Sequence, residues 1–294
     1  MGSVLFPLFK LFFEDDVQPD LGDDLIENDQ TVKFTTRAEK AWRTVFLVPA
    51  LLTFCTAIGI LYYCDDSPKG NYRDRIKNEQ MTVINPRESL KAAAKNWNVW
   101  ILCVQYACCF GIEVTMTNAS ASYFTDEFGQ STVSAAAIAS TFGFMNLWAR
   151  GVGGLTSDIF QNKFGIRGRL FLQFFTLALA GTGVIIFGFA ENFAWSIIAL
   201  VFMSCMVQSA EGSTFGIVPY VDRRFTGSVV GIIGGGGNLG GVIFAVFFRQ
   251  FSYRTAFTLM GLSAIGSSLL SCFVRTAMLE QRYATADVEH EQEV

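Results

Sequence analysis

The sequence predicts an all-α membrane protein with seven full transmembrane helices and a truncated N-terminal helix ahead of them. Three observations carry that reading. Hydrophobic residues make up 51% of the 294, with 29 Phe among them. Charged residues make up only 16%, where a soluble domain carries about a quarter. Seven apolar stretches approach or exceed the roughly 20 residues a helix needs to cross a hydrocarbon core of about 30 Å.

In chain order, residues 1–13 (MGSVLFPLFKLFF) are apolar but would reach only about 20 Å as a helix, so they read as the end of a truncated transmembrane helix. They lack the basic start and small-residue cleavage site of a signal peptide. Residues 14–43 form an acidic loop of low hydrophobicity, expected outside the cell. The first full span is Thr44–Cys64. Residues 65–96 form a polar loop rich in Lys and Arg, from Lys69 and Arg73 to Lys91 and Lys95. Residues 97–278 hold the remaining six spans, Trp97–Phe124, Val133–Thr156, Leu170–Phe189, Phe193–Val221, Gly227–Phe248 and Thr255–Val274. These runs are too long and too evenly apolar for soluble helices, which keep a polar face. Residues 279–294 are a polar tail. Placing residues 65–96 in the cytosol puts roughly twice as many Lys and Arg inside as outside, so the tail is expected in the cytosol too.

The same inventory excludes several chemistries. The net charge of −4 offers no basic field for nucleic acid. All seven Cys lie in or beside apolar runs without C-x-x-C spacing, which argues against a zinc site or a disulfide framework. The single His, His290, sits in the acidic tail, so a His-based catalytic triad or metal site has nothing to build on. No enzyme activity, cofactor or metal is expected.

Charged and polar residues inside the spans are the candidates for function. Arg150 lies about eight residues before Asp158, roughly 12 Å inward from the cytosolic end. Burying Arg there costs at least about 2.5–3.5 kcal/mol on insertion scales, so its side chain is expected to face a polar cavity or a partner. A guanidinium presents paired donors matched to a planar oxyanion; the alternative is an Arg that snorkels or is paired structurally. The run GIIGGGGNLGG, Gly231–Gly241, needs a reason, since each Gly costs about 1 kcal/mol in a helix. Close helix packing is one reason. Another is access of a small ligand to the backbone at Gly235, Gly236 and Gly237, with Asn238 adding an amide that serves either a ligand or a neighbouring helix. Glu113 and Glu211 also lie in apolar runs, as structural partners or as proton carriers. Asn118 and Tyr123 share a helix with Glu113 and are weaker candidates. Finally, Gly154 and Asp158 precede a turn carrying Arg167 and Arg169, a pattern that suits a gating or structural bridge between helix ends.

These motifs resemble a known family. G-x-x-S-D-x(6)-G-x-R-G-R, from Gly154 to Arg169, resembles the cytosolic loop motif of the major facilitator superfamily. GIIGGGGNLGG resembles the second glycine signature of its nitrate/nitrite porter family. AEGSTFGIVPYVDRR, AWRTVFLVPA and GIEVTMTNASASYF are similar to segments of eukaryotic high-affinity nitrate transporters. The resemblance implies a partial major facilitator fold. Residues 1–13 would end the fifth helix of twelve, Thr44–Cys64 would be the sixth, 65–96 the cytosolic link between halves, and 97–278 the six-helix C-terminal half. It further implies transport of nitrate, or nitrite, coupled to protons by alternating access, in a multi-pass protein of the plasma membrane. Arg150 matches the nitrate-binding arginine of the eighth helix, and Asn238 the asparagine of the second glycine signature. The first four helices and the other arginine have no counterpart here. The chain is therefore expected to be a fragment that needs the missing N-terminal half or an accessory subunit. The alternatives are a non-transporting truncated paralogue that binds a full-length transporter, or a major facilitator for another anion.

Overall fold

A computed structural model describes residues 44–67, 70–78 and 84–275. The expected helix at residues 1–13, the acidic loop before Thr44 and the C-terminal tail lie outside them. The chain divides into two compact units, one ending at Ile84 and the other beginning at Asn85.

In the first unit, helix α1 spans Leu47–Tyr63 and a short α2 spans Tyr72–Lys77. The hydroxyls of Thr53 and Thr56 in α1 donate to the carbonyls of Pro49 and Leu52 one turn back, so both polar groups are satisfied within the apolar helix.

The second unit begins with α3, Pro86–Lys95, inside what the sequence presents as a polar loop. Its start is well signalled: the Asn85 side chain accepts from the Arg87 N–H, Pro86 follows, and Glu88 lies in the first turn. The bundle then comprises α4 (Trp97–Phe128), α5 (Thr132–Met145), α6 (Ala149–Phe164), α7 (Ile166–Gly188), α8 (Phe193–Val221), α9 (Thr226–Gln250) and α10 (Tyr253–Ser268), which runs into a 3₁₀ turn at Leu269–Phe273. The turn between α4 and α5 is made by Gly129 in the left-handed region (φ 60°), where its N–H caps the last carbonyls of α4.

Among the described residues five helices are long and apolar enough to cross a membrane: α4, α7, α8, α9 and α10 with its 3₁₀ turn. The other two expected spans differ. Thr44–Cys64 forms the 17-residue α1. Val133–Thr156, expected as one span, is two helices with a break at Asn146–Trp148. There the N–H groups of Asn146, Leu147 and Trp148 bond three residues back, to Gly143, Phe144 and Met145, and helical spacing resumes when Val152 bonds to Trp148. That shift leaves the Phe142 carbonyl without its helical donor. It is recaptured from α8, where the Ser204 hydroxyl and the Gln208 amide donate to it at 3.0 and 2.7 Å. The break is thus held by side chains of another helix, which hydropathy along the run cannot reveal.

Close helix approach organises the bundle. Along α4 and α9, a Cβ on Gly240 would fall 2.6 Å from the Ala107 carbonyl carbon, and one on Gly111 would fall 2.7 Å from that of Gly240. Small residues at four-residue spacing let the two backbones touch, and dispersion and weak polar contacts act at short range. α6 and α8 meet in the same way, with Gly153 against the backbone of Ser209 and Gly212 against that of Arg150.

Candidate functional site

The α6–α8 contact sets the Arg150 backbone directly against α8, and α4 also packs on α8. Three charged side chains therefore converge although they lie far apart in sequence. Arg150 Nη2 donates to Glu113 Oε2 of α4 at 2.8 Å and also to Glu211 Oε2 of α8. The side chain of Glu211 is wholly buried, that of Glu113 is 14% exposed, and that of Arg150 is 34% exposed. The side chain is thus held through Nη2 while part of it stays open.

The donors are unevenly spent. One nitrogen serves both carboxylates, and Nε is buried without a partner. A guanidinium offers two double-donor edges, Nε with Nη2 and Nη1 with Nη2, and both include Nη2. A planar anion cannot take two parallel hydrogen bonds from Arg150 until a carboxylate releases that nitrogen. The carboxylates differ as well. Glu113 accepts on both oxygens, from Arg150 and from the Asn146 side-chain amide at 2.9 Å. Glu211 accepts from Arg150 on Oε2, while its Oε1 is buried with no hydrogen-bond partner. Asn146 stands at the helix break and Arg150 just beyond it, so the Glu113 carboxylate bridges the two sides of the interruption. Sequence reasoning missed Asn146; its signal was an amide in an otherwise apolar run.

The glycine signature divides by helical phase. Gly236 lies against Cys103, and Gly237 against Tyr106 and Phe110, so both fill the α4–α9 contact and neither faces open space. Gly235 has nothing within reach of an added Cβ. Asn238 is exposed near that side, but its amide donates to the Gly234 carbonyl of its own helix at 3.1 Å. It joins neither Arg150 nor a neighbouring helix by a hydrogen bond in this structure. Tyr106, which stacks on Phe110 with ring centroids 5.3 Å apart, lies edge-on to Phe215 of α8.

Of the weaker candidates, Asn118 donates to the Val114 carbonyl one turn back. Tyr123 sits at the far end of α4 in an aromatic cluster with Phe128, Phe187, Tyr253 and Phe257. The loop motif forms a separate cluster. Arg169 of α7 reaches back to α6, donating to Ser157 at 3.0 Å, Asp158 at 2.6 Å and Gln161 at 3.2 Å, and its guanidinium lies 5.1 Å from the Tyr220 ring centre. Arg167 is exposed, and Gly154 has open space before it. Among the described residues no group of His, Cys, Asp and Glu side chains is placed to hold a metal ion.

Comparison with known proteins gives this arrangement its setting. The family described as Major Facilitator Superfamily matches residues 33–245. The chain is 36% identical over 253 residues to high affinity nitrate transporter 2.5 of Arabidopsis thaliana, covering 85% of this chain and 49% of that protein. It is 35% identical over 246 residues to nitrate transporter 2.2 of Chlamydomonas reinhardtii, covering 80% and 48%. It is 36% identical over 148 residues to the nitrate/nitrite transporter NrtP of a Picosynechococcus strain, covering 50% and 27%. The chain spans about half the length of the first two relatives.

Proposed function

Because the chain belongs to the major facilitator superfamily, and within it to the nitrate/nitrite porter family, a family of multi-pass membrane transporters, we propose that it takes part in moving nitrate, or nitrite, across the plasma membrane together with protons. The observation that carries this reading is the single Arg150 guanidinium shared by two carboxylates in the interior of a helical bundle. Arg150 is the anion-binding cation, and its partly open side is where the anion arrives. Gly235 and Asn238 offer an uncovered stretch of α9 to the same ligand.

Charge balance then ties the anion to a proton. With both carboxylates ionised the cluster carries one net negative charge, which opposes a second anion in a medium of low dielectric. If one carboxylate takes up a proton, it releases Nη2, the cluster becomes neutral, and a monovalent anion restores the starting charge. One proton accompanies one anion in that scheme. Arg169, with Asp158 and Ser157, ties α6 to α7 at the end of the bundle assigned to the cytosol and holds that end together during alternating access. The remainder of the transport path comes from a second six-helix half, supplied by residues or a subunit beyond those matched here.

The test is nitrate uptake in cells without their own nitrate transporters, expressing this chain with the N-terminal half of a full-length relative. Uptake that disappears with Arg150→Ala supports the reading. Uptake unchanged in that variant refutes the anion-binding role.

A further inference from the structure

We propose that Glu211 is the carboxylate that takes the proton and releases Arg150, and that Asn146 is a positioning residue that commits Glu113 to remaining the guanidinium's partner. This rests on the proton-coupled reading above and assigns its unassigned step. The asymmetry lies in the hydrogen bonds. Both oxygens of Glu113 accept, one from Arg150 and the other from the Asn146 amide, and a donor on each oxygen favours the ionised form. In Glu211 only Oε2 is engaged, and Oε1 is buried and unpartnered. A bare carboxylate oxygen without a donor is costly in an apolar interior, and a proton on it removes that cost. The step is a simple protonation: the Glu211 carboxylate gains one proton on Oε1 and becomes a neutral carboxyl, the bond from Arg150 Nη2 to its Oε2 loses its charge assistance so that an incoming anion can displace it, and Arg150 keeps its charge.

The neighbours of Glu211 leave few other candidates. From α4 it is faced by Glu113, Tyr106 and Cys109, and from α6 by Arg150. α5 has no titratable side chain, and α9 has only Arg249 in its last turn. On α7 the buried cation, Arg169, is taken by Asp158. Asn146 and Arg150 lie four residues apart across the break, and one carboxylate on α4 holds both.

The experiment is infrared titration of the whole chain in lipid nanodiscs, following the carbonyl band of a buried protonated carboxyl. The wild type should show such a band as pH falls. Glu211→Gln should lose it, and Glu113→Gln should keep it. Asn146→Ala should add a second band, absent in the Asn146→Ala/Glu113→Gln double variant. A band kept in Glu211→Gln and lost in Glu113→Gln overturns the assignment, and so does a wild type with no titrating band. An unchanged single band in Asn146→Ala overturns the positioning role. If Glu211→Gln does not reconstitute, Glu211→Asp replaces it, since moving the carboxyl to a shorter side chain should shift the band's frequency; an unshifted band overturns the assignment. Failure of the parent reading shows separately, as nitrate uptake indifferent to Arg150→Ala.

Discussion

Gly111→Ala is the perturbation that best tests how the bundle is held. An added Cβ there would stand 2.7 Å from the Gly240 carbonyl carbon, 3.0 Å from the Gly241 nitrogen and 3.0 Å from Phe244 Cδ2. Non-bonded carbons rest at about 3.5–4.0 Å, so α4 and α9 would have to separate by roughly 1 Å. The two closest atoms belong to helix backbone and cannot swing aside as a side-chain tip could. Overpacking of this kind costs about 1–3 kcal/mol, or roughly 5- to 140-fold in the unfolding equilibrium. Gly235→Ala is the control in the same signature. Nothing lies within 4 Å of its added Cβ, so the variant keeps the helix-propensity gain of up to about 1 kcal/mol without a clash. The two substitutions should therefore move stability in opposite directions. Thermal unfolding of the detergent-purified chain reads the difference, with Gly111→Ala melting below the wild type and Gly235→Ala at or above it. A Gly111→Ala variant as stable as the wild type, or a Gly235→Ala variant that melts earlier, would refute the packing argument.

Arg150→Lys keeps a charge but loses the fork, and a hydrogen bond to a charged group is worth about 1.5–3 kcal/mol, so nitrate affinity should fall roughly 10- to 150-fold in uptake kinetics. An unchanged KM for nitrate would count against two-point recognition. Replacing both Ser204 and Gln208 by apolar residues strands the buried Phe142 carbonyl at the helix break, which should cost about 1–3 kcal/mol of stability, seen as a lower melting temperature. Arg169→Ala strands Ser157 and Gln161 and should destabilise the chain more than Asp158→Asn does, because Asp158 is largely exposed and its ion pair is screened. Equal effects of the two variants on melting would contradict that ranking.

How much of this could be read from the residues alone follows from what each signal depends on. Arg150, Glu113 and Glu211 each stood out because a charge in an apolar run needs a local explanation. That they explain one another was invisible, since their bonds join positions 37 and 61 residues apart. The start of α3 was legible in principle: Asn85, Pro86 and Glu88 are a cap, a first-turn proline and a first-turn acid, but the polar composition around them masked it. The break at Asn146–Trp148 had no comparable local mark. Its cost is the Phe142 carbonyl, and the groups that meet that cost sit on α8.

The glycine signature falls between these cases. Read as a block, GIIGGGGNLGG supports a packing surface or a ligand surface equally well. Read with a period of 3.6, Gly236 and Gly240 fall on one line and Gly237 and Gly241 on the next, while Gly231, Gly235 and Asn238 lie away from both. The first two lines meet α4, and an added Cβ on Gly231, Gly234 or Gly235 would meet nothing. Both readings of the motif can therefore hold at once on different faces of one helix, which makes the choice between them a question of phase. The same separation lets α9 approach α4 without closing off the side that carries Asn238. A substitution on the packed lines should act first on stability, and one at Gly235 or Asn238 should act first on the anion.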